Sequence, residues 1–243
     1  MIAALRALAF YAGYAIFTFL WGALSVLIAW ALPYRTRFAF IAGCWTRASL
    51  WWLKVTCGVS WVLSGQEHIP PRACIVMCRH ESSWEALFLQ TLFAPQATLI
   101  KRELLWIPLW GWAYCLLQPI AIDRSKPRGA LRQLIDKGAH QLKEGIWVAL
   151  FPEGTRLPPG QPGKFQPGGA VLASTTGTPV LVVAHNAGVY WPPHTLRKRP
   201  GAIQFIVAPP IETTDKSSRE INAEAESVMV RLTASLDRSI HPG

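Results

Sequence analysis

From Ala7 to Tyr34 the chain runs 28 residues without a charged side chain. A surface helix of a soluble domain needs a polar face toward water, and this run has none. At about 1.5 Å of rise per residue, a helix of that length exceeds the roughly 30 Å hydrocarbon core of a bilayer. A secretory signal peptide is the competing assignment. Its apolar core is usually about 7–15 residues and is followed by a small-residue cleavage site. This run is longer, and Trp30 with Leu32-Pro33 makes a poor cleavage site. A retained membrane anchor is therefore expected.

A second apolar stretch, 38–62, is interrupted by Arg47 and Lys54 and carries Trp45, Trp51, Trp52 and Trp61. Cations spaced that way, with Trp between them, suit the headgroup region better than the bilayer centre. Two arrangements fit: one crossing plus an interfacial helix, or a helical hairpin that enters one leaflet and turns near Pro33. Arg6 precedes the first run, whereas Arg35, Arg37, Arg47 and Lys54 follow it. The positive-inside rule then puts the remainder in the cytoplasm.

Composition narrows the function classes. Of 243 residues 51% are hydrophobic and only 16% charged, which excludes intrinsic disorder. The five cysteines show neither disulfide nor zinc spacing, and Cys74 and Cys78 read as small core residues of a chain in a reducing compartment. Lys and Arg number 24 against 14 Asp and Glu, for a net charge of +10, alongside 12 Trp. A basic, apolar, Trp-rich chain points to an anionic membrane surface or a phosphorylated substrate; the apolar excess argues against nucleic acid.

After residue 60 short apolar runs alternate with helical patterns. Strands are expected at 59–63, 74–78, 98–100, 120–122, 146–151, 180–184 and 203–208, and helices at 83–92, 128–143 and 218–239. In the last helix Ile221, Ala225, Val228, Leu232 and Leu236 form one apolar face, and Ser217 with Glu220 reads as a capping box at its start. Segments 157–163 and 190–201 are Pro/Gly-rich loops. The pattern predicts an α/β fold, a mixed, largely parallel sheet flanked by helices, with an N-terminal helical membrane anchor. The division expected is 1–60 for the membrane-associated helices and 61–243 for the α/β domain.

Several polar residues directly follow strand candidates: His80, Lys101, Asp123-Arg124 and the run Glu153 to Arg156. In open α/β sheets ligands bind beyond the carboxyl ends of the strands, so these groups converge if the strands are parallel. His80 and Glu85 are five apart, about 140° on a continuous helix. They meet if His80 sits in the loop before the helix and Glu85 in its first turn. The carboxylate then fixes the imidazole tautomer, and the other ring nitrogen is free to take a proton from a hydroxyl. Ser82-x-x-Glu85 also reads as a plain capping box. Arg156 offers a planar fork for phosphate oxygens and Gly154 permits a tight turn, though a solvated turn has the same look. Lys101 and Asp123-Arg124 read equally as solvated charges, and Lys164 as a cation in a turn. His185 reads as a structural histidine. No metal-ligand spacing, GxGxxG, Walker loop or GxSxG elbow is present in the sequence.

The ordered motifs resemble the membrane-bound 1-acylglycerol-3-phosphate acyltransferases, also called lysophosphatidic acid acyltransferases. That family's His-x4-Asp motif looks like Arg79 to Glu85, and its Lys-x-Glu-Leu block like Lys101 to Leu104. Its Ile-Asp-Arg block is similar to Ile122-Asp123-Arg124, and its Pro-bearing apolar strand to Thr178 through Ala184. Its Phe-Pro-Glu-Gly-Thr-Arg block is reproduced in full at Phe151 to Arg156. Two departures stand out. Glu85 replaces the family's Asp, as in the related lipid A acyltransferases, and Arg79 stands where Asn is common.

The resemblance implies acyl transfer from acyl-CoA or acyl-ACP, as co-substrate, to the sn-2 hydroxyl of lysophosphatidic acid, giving phosphatidic acid. It implies no cofactor and no metal. His80 is the expected general base and Glu85 its orienting partner. Lys101, Arg124, Glu153, Gly154, Thr155 and Arg156 are the expected phosphate-binding set. The partners implied are a lysophospholipid, an acyl thioester, membrane lipid and possibly acyl carrier protein. The expected location is the inner membrane of a bacterium, with the catalytic domain on its cytoplasmic face. The alternatives weighed are another lysolipid acceptor (lyso-ornithine lipid or a lipid A precursor), a thioesterase, and a non-catalytic anionic-lipid-binding membrane protein.

Overall fold

The computed structural model describes residues 2–123, 125–161, 163–193 and 195–240, with the side chains of 238–240 left aside. Helix α1 (Ile2–Ile28) is uncharged over most of its length and is followed by a single 3-10 turn (Ala29–Ala31). The chain reverses at Leu32-Pro33 and returns through α2 (Tyr34–Phe38), a π-helical turn (Ala39–Cys44) and α3 (Trp45–Cys57). The chain thus folds back as a helical hairpin, and its antiparallel register is set by side chains reaching the facing helix. Arg6 Nε donates to Thr56 O at 2.7 Å, Trp52 Nε1 to Phe10 O at 3.2 Å and Trp45 Nε1 to Thr18 Oγ1 at 2.9 Å; Trp21 Nε1 closes the far end on Phe40 O at 3.1 Å. Gly13 lies against the Trp52 indole, where a Cβ has no room. Among the described residues the segment Ile2–Ala31 is the one helix long and apolar enough to cross a membrane.

The α/β part begins at β1 (Val59–Ser64), and continues with β2 (Ile75–Cys78), α4 (Trp84–Leu92), β3 (Gln96–Lys101), α5 (Trp110–Cys115) and β4 (Ile120–Ile122). It then runs through α6 (Pro127–Lys143), β5 (Trp147–Leu150), α7 (Gly168–Thr176), β6 (Val180–His185), α8 (Ala187–Tyr190), β7 (Gly201–Val207) and α9 (Ser218–Ile240). The strands form one sheet in the order β1-β7-β6-β2-β5-β3-β4. Neighbours from β6 through β4 are parallel, β1 and β7 are parallel to each other, and β6 meets β7 antiparallel. All seven expected strands are present. Helices α5, α7 and α8 were not expected from the sequence. The capping box at α9 is present: Glu220 Oε2 accepts from the Ser217 N–H at 2.8 Å, and the Glu220 N–H donates to Ser217 Oγ at 3.3 Å.

Strand alternation divides the core into two layers. Val76, Cys78, Leu181 and Val183 face Phe10, Trp45, Leu53 and the α4 residues Trp84 and Phe88. Ile75, Met77, Val180 and Val182 face Leu134 of α6, Ala170 and Leu172 of α7, and Ile221 and Met229 of α9. The N-terminal hairpin thus supplies side chains to the same core as the sheet. Both ends of α1 touch the α/β part: Phe10 packs edge-on to Trp191 at 5.2 Å, and Gly22 lies against Leu109.

Candidate active site

Parallel strands β2, β5, β3 and the end of β6 place their following loops along one edge of the sheet. His80 lies two residues beyond β2, before α4 begins, and Glu85 occupies the first turn of α4. His80 Nδ1 is 2.8 Å from Glu85 Oε1, which also accepts the N–H groups of Ser82 at 2.8 Å and Glu81 at 3.1 Å. The carboxylate therefore closes the helix end and orients the histidine at once. Burial pushes the Glu85 carboxyl up, but the imidazoles of His185 and His80 and the Ser82 N–H outweigh it and hold it below the ordinary carboxylate range. An ionised Glu85 puts the imidazole proton on Nδ1 and leaves the Nε2 lone pair on the opposite side of the ring. Phe151 stacks on the ring, centroids 4.1 Å apart, and restricts its rotation.

The turn after β5 is tied to this loop at several points. Gly154 closes it with an N–H donated to Phe151 O at 3.0 Å, in a left-handed conformation (φ 72°) that favours glycine. Arg156 Nε donates to Ser82 O at 3.1 Å, and the Leu157 N–H to His80 O at 2.8 Å. Glu153 turns inward: its Oε2 accepts the His80 N–H at 3.0 Å and its Oε1 faces Arg79 Nη1 at 3.5 Å. Arg79 is wholly buried, pairs through Nε with Glu81, and donates through Nη2 to Pro158 O at 3.1 Å and Gln161 O at 2.7 Å.

Beside these residues lies a cleft of about 490 Å³ whose lining includes the polar groups of His80, Lys101, Gly154, Thr155 and Arg156 and an aromatic wall of Tyr14, Trp45, Trp110 and Tyr114. Among the described residues neither Lys101 nor Arg156 has a carboxylate within ion-pair distance. The cavity thus combines two cations and an imidazole with an aromatic, apolar lining.

A cleft of that character suits an amphiphile with an anionic head, and comparison with known proteins agrees. The Acyltransferase family model matches residues 61–186. A 1-acyl-sn-glycerol-3-phosphate acyltransferase of Pseudomonas aeruginosa is 43% identical over 99% of this chain and 96% of its own length. A coconut (Cocos nucifera) protein of the same name is 30% identical over 93% of this chain and 72% of its own. The crystal structure of the 1-acyl-sn-glycerophosphate acyltransferase of Thermotoga maritima superimposes with a TM-score of 0.79 at 26% identity, over 96% of this chain and 95% of that one. The chain belongs to the 1-acyl-sn-glycerol-3-phosphate acyltransferase family.

Within this acyltransferase the residues expected from sequence are placed as follows. His80 and Glu85 meet as expected. Lys101, Gly154, Thr155 and Arg156 line the cleft. Glu153 does not; it sits beneath the cleft, braced by Arg79, and burial lifts its carboxyl to about 7 against the pull of that guanidinium. Arg124 lies outside the described residues. Asp123 accepts from the Ser125 N–H at 3.0 Å and pairs with Arg102 at 3.5 Å. His185 is buried behind the His80–Glu85 pair: Nε2 donates to Arg79 O at 2.9 Å and lies 3.8 Å from Glu85 Oε2, and Nδ1 accepts from the Ala187 N–H at 3.2 Å.

Sequence reasoning missed the Arg79–Glu81 pair and the aromatic wall. The only local signal for the pair was opposite charges on either side of His80. Two of its residues, Tyr14 and Trp45, reach the cleft only because the hairpin folds back on the domain.

Proposed function

We propose that this chain transfers an acyl group from a thioester, acyl-CoA or acyl-ACP, to the sn-2 hydroxyl of lysophosphatidic acid, giving phosphatidic acid. The observation that carries the reading is His80, held by a buried carboxylate in a cleft whose lining combines cationic side chains with an aromatic, apolar wall. His80 Nε2 takes the proton of the acceptor hydroxyl as its oxygen attacks the thioester carbonyl. The tetrahedral intermediate collapses, the thiolate leaves, and the imidazolium returns the proton to it. The ionised Glu85 stabilises that imidazolium. Lys101 and Arg156 hold the acceptor phosphate with Thr155, and Glu153 and Gly154 shape the site. No metal or prosthetic group is called for.

The same reading locates the enzyme. A helix of 27 residues is about 40 Å long, and α1 touches the α/β part near both ends, so it lies along the domain. Its outer face exposes Ile2, Leu5, Leu8, Ile16, Phe19, Leu20 and Leu27. That face rests in one leaflet of the bacterial inner membrane, on the cytoplasmic side, where the lysolipid already resides.

The test is a paired assay of detergent-solubilised wild type and His80→Ala with an acyl thioester and lysophosphatidic acid, following free thiol and phosphatidic acid together. Phosphatidic acid from wild type alone is the expected result. Near wild-type turnover by His80→Ala removes the base from the mechanism. Thiol release without lipid product moves the reading to a thioesterase or another acceptor.

A further inference from the structure

The outer face of α1 is not the chain's only exposed apolar surface. Trp106 is 64% exposed, Trp112 50%, Ile107 44% and Leu196 72%. They lie on two segments far apart in sequence, one running from the end of β3 into α5 and one between α8 and β7. Both segments border the cleft mouth. Leu104 and Trp110 line it beside His80, and Leu196 lines an adjoining depression with Arg156 and Ser83. Helix α1 runs past both, with Tyr14 in the cleft and Tyr11 in the depression.

The second segment is held firmly. Lys198 is buried and donates through Nζ to Tyr11 Oη at 2.6 Å and to Leu196 O at 3.0 Å, while lying 4.7 Å from the centroid of the Trp191 ring. That clamp fixes the loop to α1 and leaves Leu196, Arg197 and Arg199 exposed around it. Among the described residues neither arginine has a carboxylate within ion-pair distance. On the first segment Arg102 lies 5.8 Å over the Trp106 ring. Scattered exposed apolar residues are ordinary on a protein surface, but large ones gathered around one cleft mouth mark a contact. Trp with Arg beside it is the composition of a bilayer interface.

We propose that this rim is a second bilayer contact, separate from α1. Trp106, Ile107, Trp112 and Leu196 seat at the level of the headgroups and upper acyl chains. Arg197 and Arg199 bind the phosphates of an anionic leaflet. The cleft mouth then opens onto the leaflet, and the acceptor enters sideways without leaving it. Continuity with the exposed face of α1 and the net charge of +10 both favour an anionic bilayer as the occupant. The inference rests on the reading of the acceptor as a lysolipid.

The test uses the full chain, as wild type and as the combined variant Trp106→Ser, Leu196→Ser, Arg197→Gln, Arg199→Gln. A surface arginine near an anionic leaflet contributes about 1 kcal/mol, roughly fivefold in an equilibrium, so losing both raises KM for lysolipid in phosphatidylglycerol vesicles by about 25-fold or more. In neutral detergent micelles kcat and KM stay at the wild-type values. Unchanged KM on vesicles overturns the rim, and so does an equal loss in micelles, which makes these residues part of the folded site. Hydrogen exchange supplies a readout independent of turnover. Anionic vesicles should slow the amides of 103–107 and 195–199 in wild type, and exchange unaltered by vesicles overturns the proposal. A wild type that makes no phosphatidic acid in micelles instead counts against the acceptor reading, and exchange still decides the rim.

Discussion

His80 Nδ1 lies 2.8 Å from Glu85 Oε1, so an ionised Glu85 holds the imidazole proton at Nδ1. Three donors converge on Glu85 Oε1, while Oε2 is buried without a hydrogen-bond partner. Glu85→Gln keeps the shape but removes the charge that fixes the tautomer and supports the imidazolium. By analogy with orienting carboxylates of other His-based sites, kcat should fall by about 10²–10⁴ with KM little changed, read by steady-state kinetics. An unaltered kcat would reduce Glu85 to a helix cap. Glu153 gives a pH signature. Its folded pKa of about 7 stands above the ordinary 4.5 because burial disfavours the anion. The folded chain therefore binds this proton more tightly than the unfolded chain. Its contribution is complete below about 4.5 and is lost as pH rises through about 7. Glu153→Gln should flatten the fall of Tm between those two values, measured by thermal melts across the range. A slope equal to wild type would show that Glu153 does not titrate there.

At the level of elements, the hairpin depends on how its turn is closed. The 3-10 turn after α1 leaves the carbonyls of Trp30 and Leu32 to be met from elsewhere, and Ala29 O accepts only the Leu32 N–H within the turn. Arg37 collects them: Nε donates to Ala29 O at 3.1 Å and Leu32 O at 3.2 Å, Nη2 to Trp30 O at 3.2 Å, and Nη1 reaches Leu116 O at 3.3 Å beside α5. Arg37→Ala orphans several acceptors at once and should cost roughly 1–3 kcal/mol, seen as a lower urea midpoint. Arg35→Ala, on an exposed cation, is the control that should not move it. Much at this scale was legible in the sequence, because β-branched runs bounded by turns mark strands wherever they pair. Helix α7 was not. Its Gly168-Gly169 start reads as a turn, yet a Cβ at Gly169 would stand 2.7 Å from Met77 Cε, so the glycine lets the helix close onto the sheet. His80 and Glu85 could be paired from sequence because five residues separate them. The brace from Arg79 to Glu153 spans 74 residues, and only the pairing of β2 with β5 reveals it.

On the scale of the whole molecule, the first 57 residues are an anchor by composition and a structural layer by packing. Phe10, Trp45, Leu50 and Leu53 are buried in the layer that also holds Val76, Leu181 and Phe205. A fully buried side chain of this size contributes about 1.5–3 kcal/mol, so these four account for roughly 6–12 kcal/mol. A whole domain is commonly stable by only about 5–15 kcal/mol. Removing residues 2–57 should therefore leave no cooperatively folding enzyme, even in detergent. The truncated chain should show no sharp thermal transition and no phosphatidic acid formation, whereas a detachable anchor would leave a soluble, active domain. The aromatic wall makes the same point at the cleft, since Tyr14 and Trp45 leave with the hairpin. A truncated chain that melted cooperatively yet made no product would separate the two roles, assigning the hairpin to the cleft wall alone.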